Sequence, residues 1–265
     1  MPFPSDEVRA LSDAQIRDFI SDGYVRIDAA FPAALAETVR NILWQDLEPS
    51  PDDPGTWTKP VIRLGMYSAP LFVEAANTPT LVSAYDQLAG HGRWLSPRAM
   101  GTFPVRFPSS EPPGDDGWHI DVSFGDSPDF MEWRANVMSK GRALLMLFLF
   151  SDVGEEDAPT RIRKGSHVDV ARMLAPAGAD GLTLRQLAER LPETEGREEV
   201  AAVGQAGTVY LCHPFLVHAA QPHRGTEPRF LAQPPLLPRA SLQLDRADGD
   251  YAPVEIAIRH ALGQT

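Results

Sequence analysis

His119 and Asp121 stand two residues apart in the stretch Gly117-Trp118-His119-Ile120-Asp121-Val122-Ser123-Phe124, and His218 follows far downstream. On an extended chain side chains repeat every second residue, so this imidazole and this carboxylate point to one side. A second imidazole brought in from another strand would place two nitrogens and one carboxylate oxygen around a single ion. Such a 2-His-1-carboxylate set takes one face of an octahedron and leaves the opposite face open. With iron(II), the open positions serve a substrate and dioxygen. The first expectation is therefore an iron oxygenase site at His119, Asp121 and His218.

Seven histidines compete for the third ligand position. His213 precedes Pro214, which biases it toward an extended, strand-ending conformation and a structural role. His223 sits among Pro222, Arg224 and Gly225 and reads as an exposed turn residue. His218 follows Phe215-Leu216-Val217, so it projects from a buried strand and is the expected ligand. Arg229 lies on the next strand. If it faces the interior it needs an anion, and its planar fork suits a carboxylate; an ordinary surface arginine after Pro228 is the alternative.

The chain has 265 residues, a length at which all-β barrels and sandwiches form one unit, and 43% of them are hydrophobic, enough for a sizeable core. The net charge of -12 repels polyanions, so a nucleic-acid partner is not expected. Cys212 is the one cysteine and cannot form an internal disulfide, which suits a reducing cytoplasm; it reads as a small buried apolar residue. Met1-Pro2-Phe3-Pro4-Ser5-Asp6 has neither basic region nor apolar core, and no run approaches a membrane span. The expectation is a cytoplasmic protein with no membrane partner and a small-molecule substrate; nothing in the chain speaks to oligomeric state.

The elements that must position these residues fall into two parts. Residues 1–98 read as mainly helical. Ser12 caps a helix that stops at Asp22-Gly23, a strand Tyr24–Ile27 follows, and helices open at Phe31-Pro32 and Thr78-Pro79. From 99 to 240 the pattern changes to strands: Thr102–Phe107, Trp118–Ser123, Ala143–Phe150, Gly207–His213, Leu216–Ala220 and Arg229–Leu236, with one helix at Thr183–Leu191. Helices first and strands later predict one α+β domain over 1–265, mainly β, with helices packed on a jelly-roll core.

Four stretches, in order, resemble the phytanoyl-CoA dioxygenase family of iron(II)- and 2-oxoglutarate-dependent oxygenases. Leu11 to Phe19 leading to Asp22-Gly23-Tyr24-Val25-Arg26-Ile27 is similar to the family's opening. Trp118-His119-Ile120-Asp121 is similar to its first ligand motif. Ala158-Pro159-Thr160-Arg161-Ile162-Arg163-Lys164-Gly165-Ser166-His167 resembles its Gly-Pro-Thr-Arg stretch ending in Gly-Ser-His. Gly207 to Tyr210, His218 and Arg229 resemble its distal ligand and co-substrate arginine. The resemblance implies a double-stranded β-helix of cupin type, iron(II) on His119, Asp121 and His218, and the far carboxylate of 2-oxoglutarate on Arg229. It implies decarboxylation of 2-oxoglutarate to succinate and carbon dioxide, with dioxygen oxidising a small substrate. Halogenating relatives replace the carboxylate with a small residue, so Asp121 implies hydroxylation or desaturation.

Lys164 stands where relatives carry proline, and Ala158 where they carry glycine. Ala220 stands where many carry a serine that assists the arginine, which leaves the second anchor of 2-oxoglutarate open; Arg106 is a candidate for it, with a solvent-facing role as the alternative. Gly165-Ser166-His167 reads as a structural turn. Trp118, Phe124 and Trp133 either line an apolar substrate pocket or pack in the core. Arg161, Arg163 and Lys164 read as a solvated turn, with a phosphate contact as the alternative. Asp115-Asp116 and Glu155-Glu156-Asp157 read as solvated loops. Two rival classes are a zinc hydrolase on the same three ligands, which would not need Arg229, and a catalytically silent jelly-roll binding protein.

Overall fold

A computed structural model describes residues 9–264; Met1 to Asp6, read above for a signal segment, lie outside the described residues. Within it the helices are α1 (Asp13–Asp22), α2 (Ala33–Gln45), α3 (Pro70–Ala76), α4 (Pro79–Ala89), α5 (Ser166–Leu174), α6 (Leu184–Arg190) and α7 (Pro253–Ala261). The strands are β1 (Tyr24–Ile27), β2 (Val61–Leu64), β3 (Trp94–Leu95), β4 (Phe103–Arg106), β5 (Arg134–Ala135), β6 (Leu144–Leu149) and β7 (Arg161–Arg163). They continue with β8 (Leu182–Thr183), β9 (Glu199–Ala201), β10 (Val209–Cys212), β11 (His218–Ala219), β12 (Leu231–Ala232) and β13 (Pro235–Pro238). No helix among the described residues is long and apolar enough to cross a membrane.

The main sheet runs β1-β10-β6-β13-β3, with β12 also on β6, and every pairing is antiparallel. Its centre is β6, an unbroken apolar run that is buried on both faces. Alternation sends Leu144, Met146 and Phe148 into a core shared with the helices, where Phe31 packs against Phe148 and Phe150. Leu145, Leu147 and Leu149 face a second cluster with Ile162, Tyr210, Cys212, Leu216 and Leu231. That second cluster separates the main sheet from the small sheet β11-β7-β9. Helices thus cover one face of the main sheet and a second sheet lies over the other.

The local signals explain where the N-terminal elements begin and end. The Ser12 hydroxyl accepts a hydrogen bond from the Gln15 N–H, and the Gln15 side chain accepts one from the Ser12 N–H, forming a capping box. Gly23 ends α1 in the left-handed region at φ 86° and turns the chain into β1. Thr78 caps α4, and Thr183 caps α6 with a second box. The sequence predicts these helices, and also α2, which opens after Phe31-Pro32 with no side-chain cap.

The structure departs from expectation where such signals are absent or tertiary pairing decides. The strand expected at Tyr24–Ile27 forms and joins the main sheet against Val209–Cys212, whereas β3, from the part expected to be helical, forms because Trp94-Leu95 pairs with β13. Gly165-Ser166-His167 is not merely a turn: it opens α5, whose start has no side-chain cap to announce it. Helices α3 and α7 also form, each with proline in its first turn, and α7 packs on α1, α4 and α5. Trp118–Ser123 is no regular strand. Residue 119 bonds to His218, but by 123 and 124 the partner is Arg134, so no ladder persists. The expected Arg229–Leu236 strand divides into β12 and β13 around Gln233-Pro234.

At the helix-side core, His167 and His213 pack ring against ring at 4.9 Å. Each is buried, with Nε2 directed at a backbone carbonyl, Ile20 and Val254 respectively. His213 thus has the structural role expected of it. Gly23 packs against this pair: its carbonyl accepts from the His213 N–H, and an added Cβ would lie 2.5 Å from His167 Nδ1 and 2.7 Å from Leu216 Cδ1. Replacing Gly23 with alanine combines left-handed strain of about 1–2 kcal/mol with overpacking of about 1–3 kcal/mol. The expected result is a stability lowered by about 2–5 kcal/mol, read as a lower urea midpoint at constant m.

Burial pushes the His167 pKa from 6.5 down to about 4. The unfolded chain therefore binds this proton before the folded one does. The stability that neutral His167 contributes is complete above 6.5 and is lost as the pH falls to about 4. Unfolding measured across that window should show a decline that flattens when His167 is replaced by glutamine.

Candidate metal centre

His119 and His218 are brought face to face by the backbone. The His119 N–H donates to the His218 carbonyl at 3.0 Å, and the His218 N–H to the His119 carbonyl at 2.9 Å. This antiparallel bridge is followed by β11, which pairs with β7. The imidazole rings consequently lie 4.4 Å apart. Although 118–123 is not a regular strand, it keeps the side-to-side alternation. Ile120 and Val122 are buried in the core, and His119 and Asp121 project to the other side beside His218.

Both imidazoles are oriented in the same way. Nδ1 of His119 lies 2.9 Å from the Gly117 carbonyl, and Nδ1 of His218 lies 3.0 Å from the Leu216 carbonyl. A carbonyl can only accept, so each Nδ1 carries a proton and Nε2 is the nitrogen each ring leaves for a ligand. Asp121 Oδ1 is 3.9 Å from His119 Nε2 and 3.8 Å from His218 Nε2. The three ligand atoms lie within 4.8 Å of one another. Nε2 of His218 is buried with no hydrogen-bond partner, an orphan that a metal ion would satisfy. The side chains are 38%, 26% and 2% exposed for His119, Asp121 and His218, so the cluster opens outward past His119 over a buried floor.

Electrostatics favours the ligand forms. Burial works against a charged Asp121, but Arg142, then His218 and His119, outweigh it and hold the carboxyl below its ordinary pKa. Burial, reinforced by His119 and opposed by Asp121, pushes His218 down to about 4, so its ring is neutral at physiological pH. Arg142 Nη1 lies 3.1 Å from Asp121 Oδ2. The sequence reading missed Arg142; its only signal is a cation directly before the apolar run that becomes β6.

A second bridge pairs two arginines, Arg106 and Arg229, through N–H to carbonyl bonds of 3.1 and 2.8 Å. Neither is a surface residue: they are 3% and 2% exposed. Arg106 Nη2 donates to both oxygens of Asp115 at 2.8 Å, and Arg63 also pairs with Asp115. Arg229 donates to the carbonyls of Ala158 and Pro104 and has no carboxylate partner. Arg106 Nε and Nη1 and Arg229 Nε are buried without partners. Burial, and then Arg106, push the Arg229 pKa down to about 9, which still leaves it charged at neutral pH. Of the two buried cations only Arg106 has a carboxylate partner, so the pair can take a further anion.

Other expectations need correction. His223 is buried, its Nδ1 accepting from the Gly225 N–H and its carbonyl from the Ser109 N–H, because the 221–228 turn folds down onto the 108–109 loop. Arg161, Arg163 and Lys164 are no solvated turn. Both guanidiniums lie over the Trp118 ring, at 4.7 and 4.1 Å; Arg163 is buried against Thr194, and Lys164 pairs with Asp22. Asp115 is likewise bound to arginines rather than solvated. Trp118 and Trp133 pack partly on the helix-side core, Trp133 donating to the Ser127 carbonyl, while Phe124 lies beneath Lys140. Ala220 offers its carbonyl to Arg161 and no side-chain polar group. Cys212 is buried, as expected. A cleft of about 760 Å³, lined in part by Arg26, Asp28, Thr78 and Thr208, shares no residue with the cluster.

Comparison with known proteins is consistent with this geometry. The non-heme alpha ketoglutarate dependent carbocyclase SnoK from nogalamycin biosynthesis is 19% identical, with 86% of this chain and 85% of SnoK covered at a TM-score of 0.58. HygX from Streptomyces hygroscopicus, solved with nickel and 2-oxoglutarate, is 20% identical, with 91% and 95% covered at 0.55. EctD from S. alaskensis, in its apoform, is 20% identical, with 90% and 80% covered at 0.55. At these identities the likeness is one of fold. No curated protein sequence gives a significant match. The phytanoyl-CoA dioxygenase (PhyH) family model matches residues 19–231, from α1 through both histidines of the cluster and Arg229 to the start of β12, and the chain belongs to that family.

Proposed function

We propose that this protein is an Fe(II)- and 2-oxoglutarate-dependent dioxygenase that hydroxylates or desaturates a small organic molecule. The observation that carries the reading is the pairing of two features: a three-atom cluster with an orphaned imidazole nitrogen, and a buried arginine pair short of anions. The three donors, two imidazole nitrogens and a carboxylate, are the set that suits non-heme iron(II). Bound iron would supply dioxygen activation coupled to decarboxylation of 2-oxoglutarate to succinate and carbon dioxide. A hydrolytic zinc site on the same ligands would leave the arginine pair without a purpose.

The chain's own residues then divide the work. His119, Asp121 and His218 hold the metal, and the Gly117 and Leu216 carbonyls fix the tautomers that keep both Nε2 atoms unprotonated. Arg229 binds the far carboxylate of 2-oxoglutarate. Arg106 supplies the second anchor that Ala220 cannot, since Arg106 retains two unpartnered nitrogens. Two sheets stacked over a shared apolar layer are the arrangement of a double-stranded β-helix, here read as a single domain over 1–265. A reducing, cytoplasmic setting accords with iron(II) and the lone thiol Cys212.

HygX has been solved with iron as well as with nickel and 2-oxoglutarate, and SnoK is alpha ketoglutarate dependent; the same ligands are proposed here. The test is an anaerobic titration with iron(II) and 2-oxoglutarate, following the visible charge-transfer band of a chelated keto acid. The band is expected in the wild type and absent in His218→Ala. No band despite bound iron would overturn the 2-oxoglutarate assignment, and no iron binding would overturn the metal site. Arg229→Met should weaken 2-oxoglutarate by about 100-fold while iron binding persists. Asp121→Ala should abolish succinate formation; unchanged turnover would remove Asp121 from the ligand set.

A further inference from the structure

We infer that Arg142 keeps Asp121 a one-oxygen ligand and thereby sets how many metal positions stay open, an inference that rests on the iron reading above. The two carboxylate oxygens have different surroundings. Oδ1 faces both imidazole Nε2 atoms, at 3.9 and 3.8 Å, whereas Oδ2 lies 3.1 Å from Arg142 Nη1. A carboxylate that chelated through both oxygens would turn Oδ2 away from the guanidinium. Arg142 is 12% exposed, and its Nε and Nη1 have no hydrogen-bond partner, so rotation of Asp121 would strip a mostly buried cation of its counter-charge.

The backbone that carries Arg142 is held in place, because its turn is clamped at both ends. Its N–H donates to the Ser139 carbonyl at 3.3 Å, and the Ser139 hydroxyl donates to the Arg142 carbonyl at 2.6 Å. Asn136 Oδ1 accepts from the Lys140 N–H at 3.0 Å, and the Ser123 hydroxyl, two residues past Asp121, donates to the Lys140 carbonyl. Gly141 adopts φ 89°, and a Cβ there would lie 2.8 Å from the Ser123 carbonyl, so only glycine lets the turn close on the ligand segment. On the other side Ala143 bonds to Leu236, and the central strand β6 begins at Leu144. Arg142 is a positioning residue: it acts on the metal through Asp121. With Asp121 held to one oxygen, three of six octahedral positions remain, the number that a two-point keto acid and dioxygen require.

The test uses the full chain with Mn(II) alone, counting metal-bound waters by water-proton relaxation. Wild type should show three exchangeable waters, and Arg142→Met two, because Asp121 then closes onto the ion with both oxygens. Arg142→Lys, which keeps a cation at Oδ2, should retain three. Arg142→Gln repeats the loss of charge with a polar side chain should the methionine variant not fold, and two waters are expected there too. Two waters in the wild type, or three in both uncharged variants, overturn the inference and leave the metal site standing. A wild type that binds no Mn(II) removes the metal site and the inference together.

Discussion

The site depends on one pair of backbone hydrogen bonds, those exchanged between His119 and His218. An antiparallel bridge of this kind fixes two residues opposite one another with their side chains on the same face. It turns two segments far apart in the chain into one cluster, and Asp121 joins it by alternation on the same extended stretch. A second bridge, between Arg106 and Arg229, does the same for the anion site. Both bridges are single pairings, each joining the end of a short strand, β11 or β4, to a residue outside any strand, so the backbone is satisfied while the side chains can serve a ligand.

Single bridges hold only because the layers behind them are rigid. β6 is buried on both faces, with Leu144, Met146 and Phe148 against the helices and Leu145, Leu147 and Leu149 against the small sheet. Each such side chain contributes roughly 1.5–3 kcal/mol of burial, which anchors the neighbours that carry Arg142, Arg229 and His218. The polar groups admitted into this apolar surrounding are nearly all bonded. The exceptions are concentrated at the cluster and the arginine pair, where His218, Arg106, Arg142 and Arg229 retain unsatisfied atoms. Unmet bonding capacity in a well-satisfied interior marks where a ligand belongs.

Local signals made much of the fold legible. Ser12, Thr78 and Thr183 announce helices through their own caps, and Gly23 announces an end by its backbone freedom. The apolar run Ala143–Phe150 reads directly as the central strand. What escaped was set by partners rather than by local preference. α5 starts without a side-chain cap, β1 becomes part of the main sheet because Val209–Cys212 is there to pair with it, and the 118–123 stretch loses its ladder when its partner changes from His218 to Arg134. Burial of charged residues was the least legible feature. Arg163 and His223 read as surface residues because a short stretch of polar sequence looks the same whether it meets water or Trp118 and the 108–109 loop.

At the site, the sequence by itself determined the donor set: the types and two-residue spacing of His119 and Asp121, and His218 at the end of an apolar stretch. It also determined the family, whose motifs run through the same residues. Only the tertiary structure decided which oxygen of Asp121 faces the imidazoles, which nitrogen of each histidine is free, and that Arg229 meets Arg106 instead of solvent. Ligand identity is a property of side-chain chemistry and local alternation, which the sequence carries. Orientation and charge balance arise from contacts between segments that share nothing in sequence until the sheets pack.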